Sequence, residues 1–133
     1  MDEPSTATAT TTRKVLVVED TRDIRELLVD ILEAEGYSVR SCANGAEALG
    51  LLTHERFDVV LLDLMMPVMD GLQLLEALHL SGPLPAPIIA MSAFERFHLA
   101  ARDLGAAAFI GKPVDIDHLL RAVASHANDA TVH

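Results

Sequence analysis

Four stretches of this chain run from apolar, largely β-branched residues into polar groups able to do chemistry: Glu19-Asp20, Asp63, Ser92 and Lys112-Pro113. Brought into one crevice, three carboxylates repel and raise one another's pKa unless a cation joins them. An all-oxygen donor set without clustered His or Cys favours a hard ion, Mg²⁺ with Mn²⁺ as the alternative, over zinc. An ammonium and a hydroxyl facing a metal-linked carboxylate can hold three phosphoryl oxygens. The ion takes one, Lys112 the second, and Ser92 with a backbone N–H the third. Asp63 is then the nucleophile, forming an aspartyl phosphate. Each residue also has a plainer reading: a solvated strand end for the acid pair, a helix cap for Asp63, a turn hydroxyl for Ser92, a surface lysine for Lys112. Their joint occurrence, each after its own apolar run, favours the chemical reading.

Those groups need a scaffold, and the pattern supplies one. Val15–Val18 is a continuous apolar run, and Ile24, Leu27, Leu28, Ile31 and Leu32 then recur on one helical face that stops at Gly36. Strands are expected at Tyr37–Cys42, Val59–Leu62, Pro87–Met91 and Ala107–Ile110. Helices are expected at Asn44–Thr53, Asp70–Leu80, Phe94–Leu104 and Asp115–His126. Asn44 is a suitable cap, and Asp70-Gly71 reads as a structural helix entry. Five strands alternating with five helices predict an α/β fold, a five-stranded doubly wound parallel sheet. Right-handed crossovers make 2-1-3-4-5 the strand order that suits this length. Ligands of such sheets bind outside the carboxyl ends of the strands, where the polar groups lie.

The formal net charge of -10, from 10 Lys+Arg against 20 Asp+Glu, argues against nucleic acid or an anionic membrane as the direct partner. Cys42 is the single cysteine, so no internal disulfide forms, and it reads as a small buried strand residue. No apolar run approaches the roughly 20 residues of a membrane span. The first residues lack the basic and apolar pattern of a signal peptide, so a cytoplasmic location is expected. The six histidines show no ligand spacing and are expected to face solvent, with His98 the one best placed to touch a partner. Residues 1–12 read as a disordered leader, 13–127 as the folded domain and 128–133 as a short tail.

The stretches VLVVEDTRDIRELL (15–28), VVLLDLMMPVMDG (59–71), PIIAMSA (87–93) and FIGKP (109–113) together resemble the receiver domain of two-component response regulators, over residues 14–126. The resemblance implies a flavodoxin-like receiver fold and a role for each matching residue. Asp63 is the phosphoacceptor. Asp20 is a direct Mg²⁺ ligand, Glu19 holds a metal-bound water, and the backbone carbonyl of Met65 is a further ligand. Ser92 is the hydroxyl that turns toward the phosphoryl group, Lys112 is the family's lysine, and Pro113 resembles its cis proline. Phe109 stands at the aromatic switch position, without the hydroxyl a Tyr would bring. Val68 replaces the Gly common in its loop, which stiffens the turn. Met65 and Phe94 occupy the two positions that flank the approach of the hydrolytic water. Both are apolar, so a slowly decaying phosphoryl group is expected.

The expected role is that of a signalling phosphoacceptor rather than an enzyme in the usual sense. The resemblance implies a sensor histidine kinase or histidine phosphotransfer protein as the source of the phosphoryl group. It implies a separate protein target reached through the face of the fourth helix, fifth strand and fifth helix. Too little chain follows residue 126 for an output domain, and the state is expected to be monomeric or a phosphorylation-promoted dimer. Two other classes fit the residues less well. A haloacid-dehalogenase-like phosphohydrolase wants a second acid two residues past its nucleophile, where Met65 stands here, and a cap insertion. A scaffold independent of phosphorylation would not need the full acidic set with Ser92 and Lys112.

Overall fold

The computed structural model describes residues 12–66 and 68–132, with side chains as far as Ala127. The leader therefore lies outside the described residues except for Thr12. Strands β1 (Lys14–Val18), β2 (Ser38–Cys42), β3 (Val59–Asp63), β4 (Ile88–Ser92) and β5 (Ala108–Gly111) alternate with five helices. These are α1 (Arg22–Ala34), α2 (Gly45–His54), α3 (Gly71–Leu80), α4 (Phe97–Asp103) and α5 (Ile116–Val132). All strand pairs are parallel and the order is β2-β1-β3-β4-β5, as the sequence pattern predicts.

Alternation along each strand divides the core in two. Val15, Val17, Val59, Leu61, Ile89 and Met91 meet Leu28 and Leu32 of α1 and Leu119 and Val123 of α5. The intervening residues Leu16, Val60, Leu62 and Ala90 meet Leu52 of α2, Leu74 and Leu78 of α3 and Ala101 of α4. Every residue of β3 and β4 is buried, so the central strands are fixed on both faces. Gly36 and Gly105, at φ 97 and 103, take the left-handed turns that close α1 and α4. The amides that follow them bond back to Leu32 and Ala101.

Two expected boundaries are corrected. The fourth helix begins at Phe97, not Phe94, because the Phe94 amide donates to Ser92 Oγ and the next bonds, Phe97 N to Phe94 O and His98 N to Glu95 O, are tight i→i+3 turns. The fifth helix runs on to Val132 where a short tail from residue 128 was expected. No Gly or Pro interrupts that stretch, and Ala127 is fully buried against the sheet. No described helix is long and apolar enough to cross a membrane.

Candidate functional site

The parallel sheet presents all its carboxyl ends at one edge, and the two central strands end there in the acidic groups. Glu19 follows β1, and Asp63 is the last residue of β3. Glu19, Asp20 and Asp63 each place a carboxylate oxygen within 4.8 Å of the others. Glu19 is 0% exposed and Asp63 3%. Lys112 enters from the far side of the sheet after β5. Its Nζ donates to Glu19 Oε1 at 2.9 Å and lies 3.2 Å from Asp63 Oδ2. The Lys112–Pro113 peptide bond is cis.

The surroundings fix each carboxylate. Glu19 N donates to Cys42 O of β2 at 3.1 Å, prolonging the strand ladder, and Thr21 N donates to Glu19 Oε2 at 3.3 Å. The Met65 amide donates to Asp63 Oδ1 at 3.1 Å. Burial pushes the Asp63 carboxyl up to about 6; the Met65 bond and Lys112 pull it down, while Glu19 pushes it further up. Burial by itself would lower Lys112, but its bond to Glu19 and the field of Asp63 outweigh that and raise its pKa. One ammonium faces three carboxylates and does not neutralise the cluster. A hard divalent cation fits this donor set: three convergent carboxylates, no His or Cys among them, and an uncompensated negative charge.

Ser92 ends β4 beside Asp63, the strands being paired Asp63 to Met91, and is 1% exposed. Its Oγ accepts the Phe94 amide at 3.0 Å, and its carbonyl accepts Lys112 N at 2.9 Å, tying β4 to the lysine loop. Phe94 and Met65 are 44% and 45% exposed. The Phe94 ring meets Phe97 edge-on at 6.0 Å, and the Arg96 guanidinium lies 4.9 Å from its centre. Phe109 is partly buried and lies flat against His98, with ring centres 4.7 Å apart and planes 9° from parallel.

The structure thus brings Glu19, Asp20, Asp63 and Lys112 together, with Ser92 on the neighbouring strand and Phe109 farther along β5. Three contacts at or near the site go beyond the reading of the sequence. The His98 ring, 45% exposed, also stacks on Phe109. Arg25 donates to the main chain of both acids after β1. Gly71 lies against the backbone of Asp63. The spacing of Arg25 five residues past Asp20, on the turn of α1 that faces back along the strand, was the available signal for the second.

Residues 15–124 match the response regulator receiver domain family. The chain belongs to that family. This receiver is 38% identical over 112 residues to sporulation initiation phosphotransferase F of Bacillus subtilis (strain 168), covering 83% of this chain and 90% of that one. It is also 38% identical over 109 residues to response regulator MprA of Mycobacterium sp. (strain KMS), 80% of this chain but 47% of that one. The receiver thus spans about half the length of the MprA proteins it matches. Among solved structures, the Francisella response regulator 1452 receiver domain superposes with a TM-score of 0.84 at 29% identity, over 89% of this chain and 98% of that chain. The chemotaxis response regulator CheY4 of Vibrio cholerae superposes at 0.79 with 30% identity, over 86% of this chain and 98% of that one.

Proposed function

We propose that the receiver accepts a phosphoryl group on Asp63 from a histidine kinase or histidine phosphotransfer protein and signals through the α4–β5–α5 face to a separate protein. The observation that carries the reading is the convergence of Glu19, Asp20 and Asp63 within 4.8 Å, with Lys112 Nζ 3.2 Å from Asp63. Mg²⁺, held by Asp20, Asp63 and the Met65 carbonyl with Glu19 behind a bound water, would neutralise charge on the transferring phosphoryl group.

The protein groups do the rest. An Asp63 carboxylate oxygen forms a bond to phosphorus as the phosphorus–nitrogen bond of the donor's phosphohistidine breaks, and the imidazole leaves with the bonding electron pair and takes up a proton. Lys112 meets one phosphoryl oxygen with its ammonium. Ser92 Oγ exchanges its bond from the Phe94 amide for one to another oxygen. Movement of Ser92 opens room beside β4, into which Phe109 turns as it leaves His98. The name of the Bacillus subtilis relative, a phosphotransferase covered over 90% of its length, supports onward transfer of the group.

The test is acetyl phosphate or a phosphorylated kinase with Mg²⁺, followed by mass spectrometry. A single acid-stable, base-labile acyl phosphate is expected on Asp63, absent from Asp63→Asn, whose amide cannot attack phosphorus. Label persisting on that variant refutes the assignment.

A further inference from the structure

The chain leaves β1 at Val18 and must turn so that two successive residues both send carboxylates toward β3. Successive side chains of an extended strand point to opposite faces, so the turn needs its own support. Glu19 has it from four sides: its amide on Cys42 O, its two carboxylate oxygens on Lys112 and Thr21, and its carbonyl on Arg25. The support shared with Asp20 comes from one side chain. Arg25 Nη1 donates to Glu19 O at 2.9 Å and to Asp20 O at 3.3 Å. Arg25 is itself anchored in α1, where its amide donates to Thr21 O at 2.8 Å.

We propose that Arg25 is a positioning residue of the cation site, whose guanidinium holds the two main-chain carbonyls after β1 so that the Glu19 and Asp20 carboxylates face Asp63. The inference rests on the reading that this cluster takes up Mg²⁺. Partners that orient ligands from behind are worth about 10–100-fold in metal affinity. Charge and position make opposite demands here. A guanidinium beside the cluster repels a cation, so its loss on electrostatic grounds alone tightens Mg²⁺ binding. Loss of the tie lets the turn splay and weakens it. The sign of the effect therefore separates the two roles.

The experiment titrates Mg²⁺ into the full chain and its Arg25→Gln and Arg25→Lys variants, followed by amide chemical shifts. Arg25→Gln is expected to bind Mg²⁺ about 10–100-fold more weakly. Arg25→Lys keeps the charge on a freely rotating ammonium that is not held in plane toward the two carbonyls as Nη1 is, so it falls between the two. Without Mg²⁺, hydrogen exchange at the Thr21 amide is expected to quicken in both variants, which reports the turn independently of the ion. Binding equal to or tighter than native, or unchanged exchange at Thr21, overturns the proposal. If Arg25→Gln does not fold, Arg25→Lys carries both measurements. A native chain that takes up no Mg²⁺ refutes the functional reading instead, and the exchange measurement still decides whether Arg25 holds the turn.

Discussion

Gly71 is where the helix that follows β3 touches Asp63, the proposed acceptor, and replacing it tests how tightly the site is built. A Cβ added there would stand 2.2 Å from the Asp63 carbonyl oxygen, 2.7 Å from Leu64 Cα and 2.9 Å from the Asp63 carbonyl carbon. All three are backbone atoms, and ordinary contact lies near 3.5 Å, so the two segments must part by about 1 Å. Retreat of α3 is resisted at both its faces. Asp70 and Gln73 form a reciprocal cap, with Gln73 N on Asp70 Oδ1 at 2.9 Å and Asp70 N on Gln73 Oε1 at 3.0 Å, while Leu74 and Leu75 are fully buried. Helix propensity would favour Ala over Gly by about 1 kcal/mol. Overpacking of backbone costs about 1–3 kcal/mol or more, and with no flexible side chain to yield the upper part of that range applies. Gly71→Ala should therefore lose about 2 kcal/mol in urea denaturation. Because misplacement of a reacting group by about 1 Å costs about 100-fold, labelling by acetyl phosphate should slow by a similar factor. Gly50→Ala is the control: in α2 its Cβ meets nothing within 4 Å, so the same substitution should raise stability. If Gly71→Ala is as stable as native, or Gly50→Ala falls equally, steric closeness to Asp63 is not what requires the glycine.

Asp63→Asn should stabilise the Mg²⁺-free protein at pH 7 by about 1–2 kcal/mol, since the folded state holds the Asp63 proton to about pH 6 and stability falls as pH rises from about 4 through that value. Thermal denaturation at pH 4 and pH 7 checks it: the gain belongs at pH 7 and should vanish at pH 4, and a variant with no higher Tm at pH 7 contradicts the burial argument. Val68 holds φ 69, a left-handed conformation costing a side chain about 1–2 kcal/mol, so Val68→Gly should raise the urea midpoint despite glycine's greater chain entropy; a fall means that the strain is not there. Met65→Asn with Phe94→Glu should shorten the life of the phosphorylated state at fixed Mg²⁺, because the family resemblance sets these two positions beside the water's approach and polar side chains there would hold it in line. Decay no faster than native removes that role from the two positions.

The sheet order and the acidic cluster were legible in the sequence because both follow from strong local signals. Unbroken apolar runs mark strands buried on two faces, and the doubly wound rule then sends Asp20, Asp63, Ser92 and Lys112 to one edge. The start of α4 was not legible. The helix was expected from Phe94, but the Ser92 hydroxyl captures the Phe94 amide and delays the helix by about a turn. Nor was the end of α5, where polar residues suggest a tail while buried Ala127 carries the helix onward. Arg25, Gly71 and His98 share a deeper reason. Each acts on main chain or on a ring outside its own element, through contacts that hydrophobic periodicity does not encode. His98 meets Phe109 across the α4–β5 turn, and Gly71 meets Asp63 across a whole loop.

The proposed switch has to be strong enough to work against what holds its resting form, and the structure bounds that quantity. Two contacts oppose the change: the Phe94 amide on Ser92 Oγ, and the stack of His98 on Phe109. A neutral hydrogen bond contributes about 1 kcal/mol net, and an aromatic stack about 0.5–1.5 kcal/mol beyond its buried area. Together they favour the resting form by about 2 kcal/mol, a factor of about 30. A hydrogen bond to a charged oxygen is worth about 1.5–3 kcal/mol, so the Ser92 bond to a phosphoryl group offsets both contacts without reversing the balance far. Phosphorylation shifts the two states only by its differential affinity for them, and a full reversal from 1:99 to 99:1 would need about 5.5 kcal/mol. On the proposed reading the active form would be populated by phosphorylation and completed by a protein bound to the α4–β5–α5 face. In that proposed balance the His98 ring, half exposed and stacked on Phe109, is what both the phosphoryl group and the partner would have to displace.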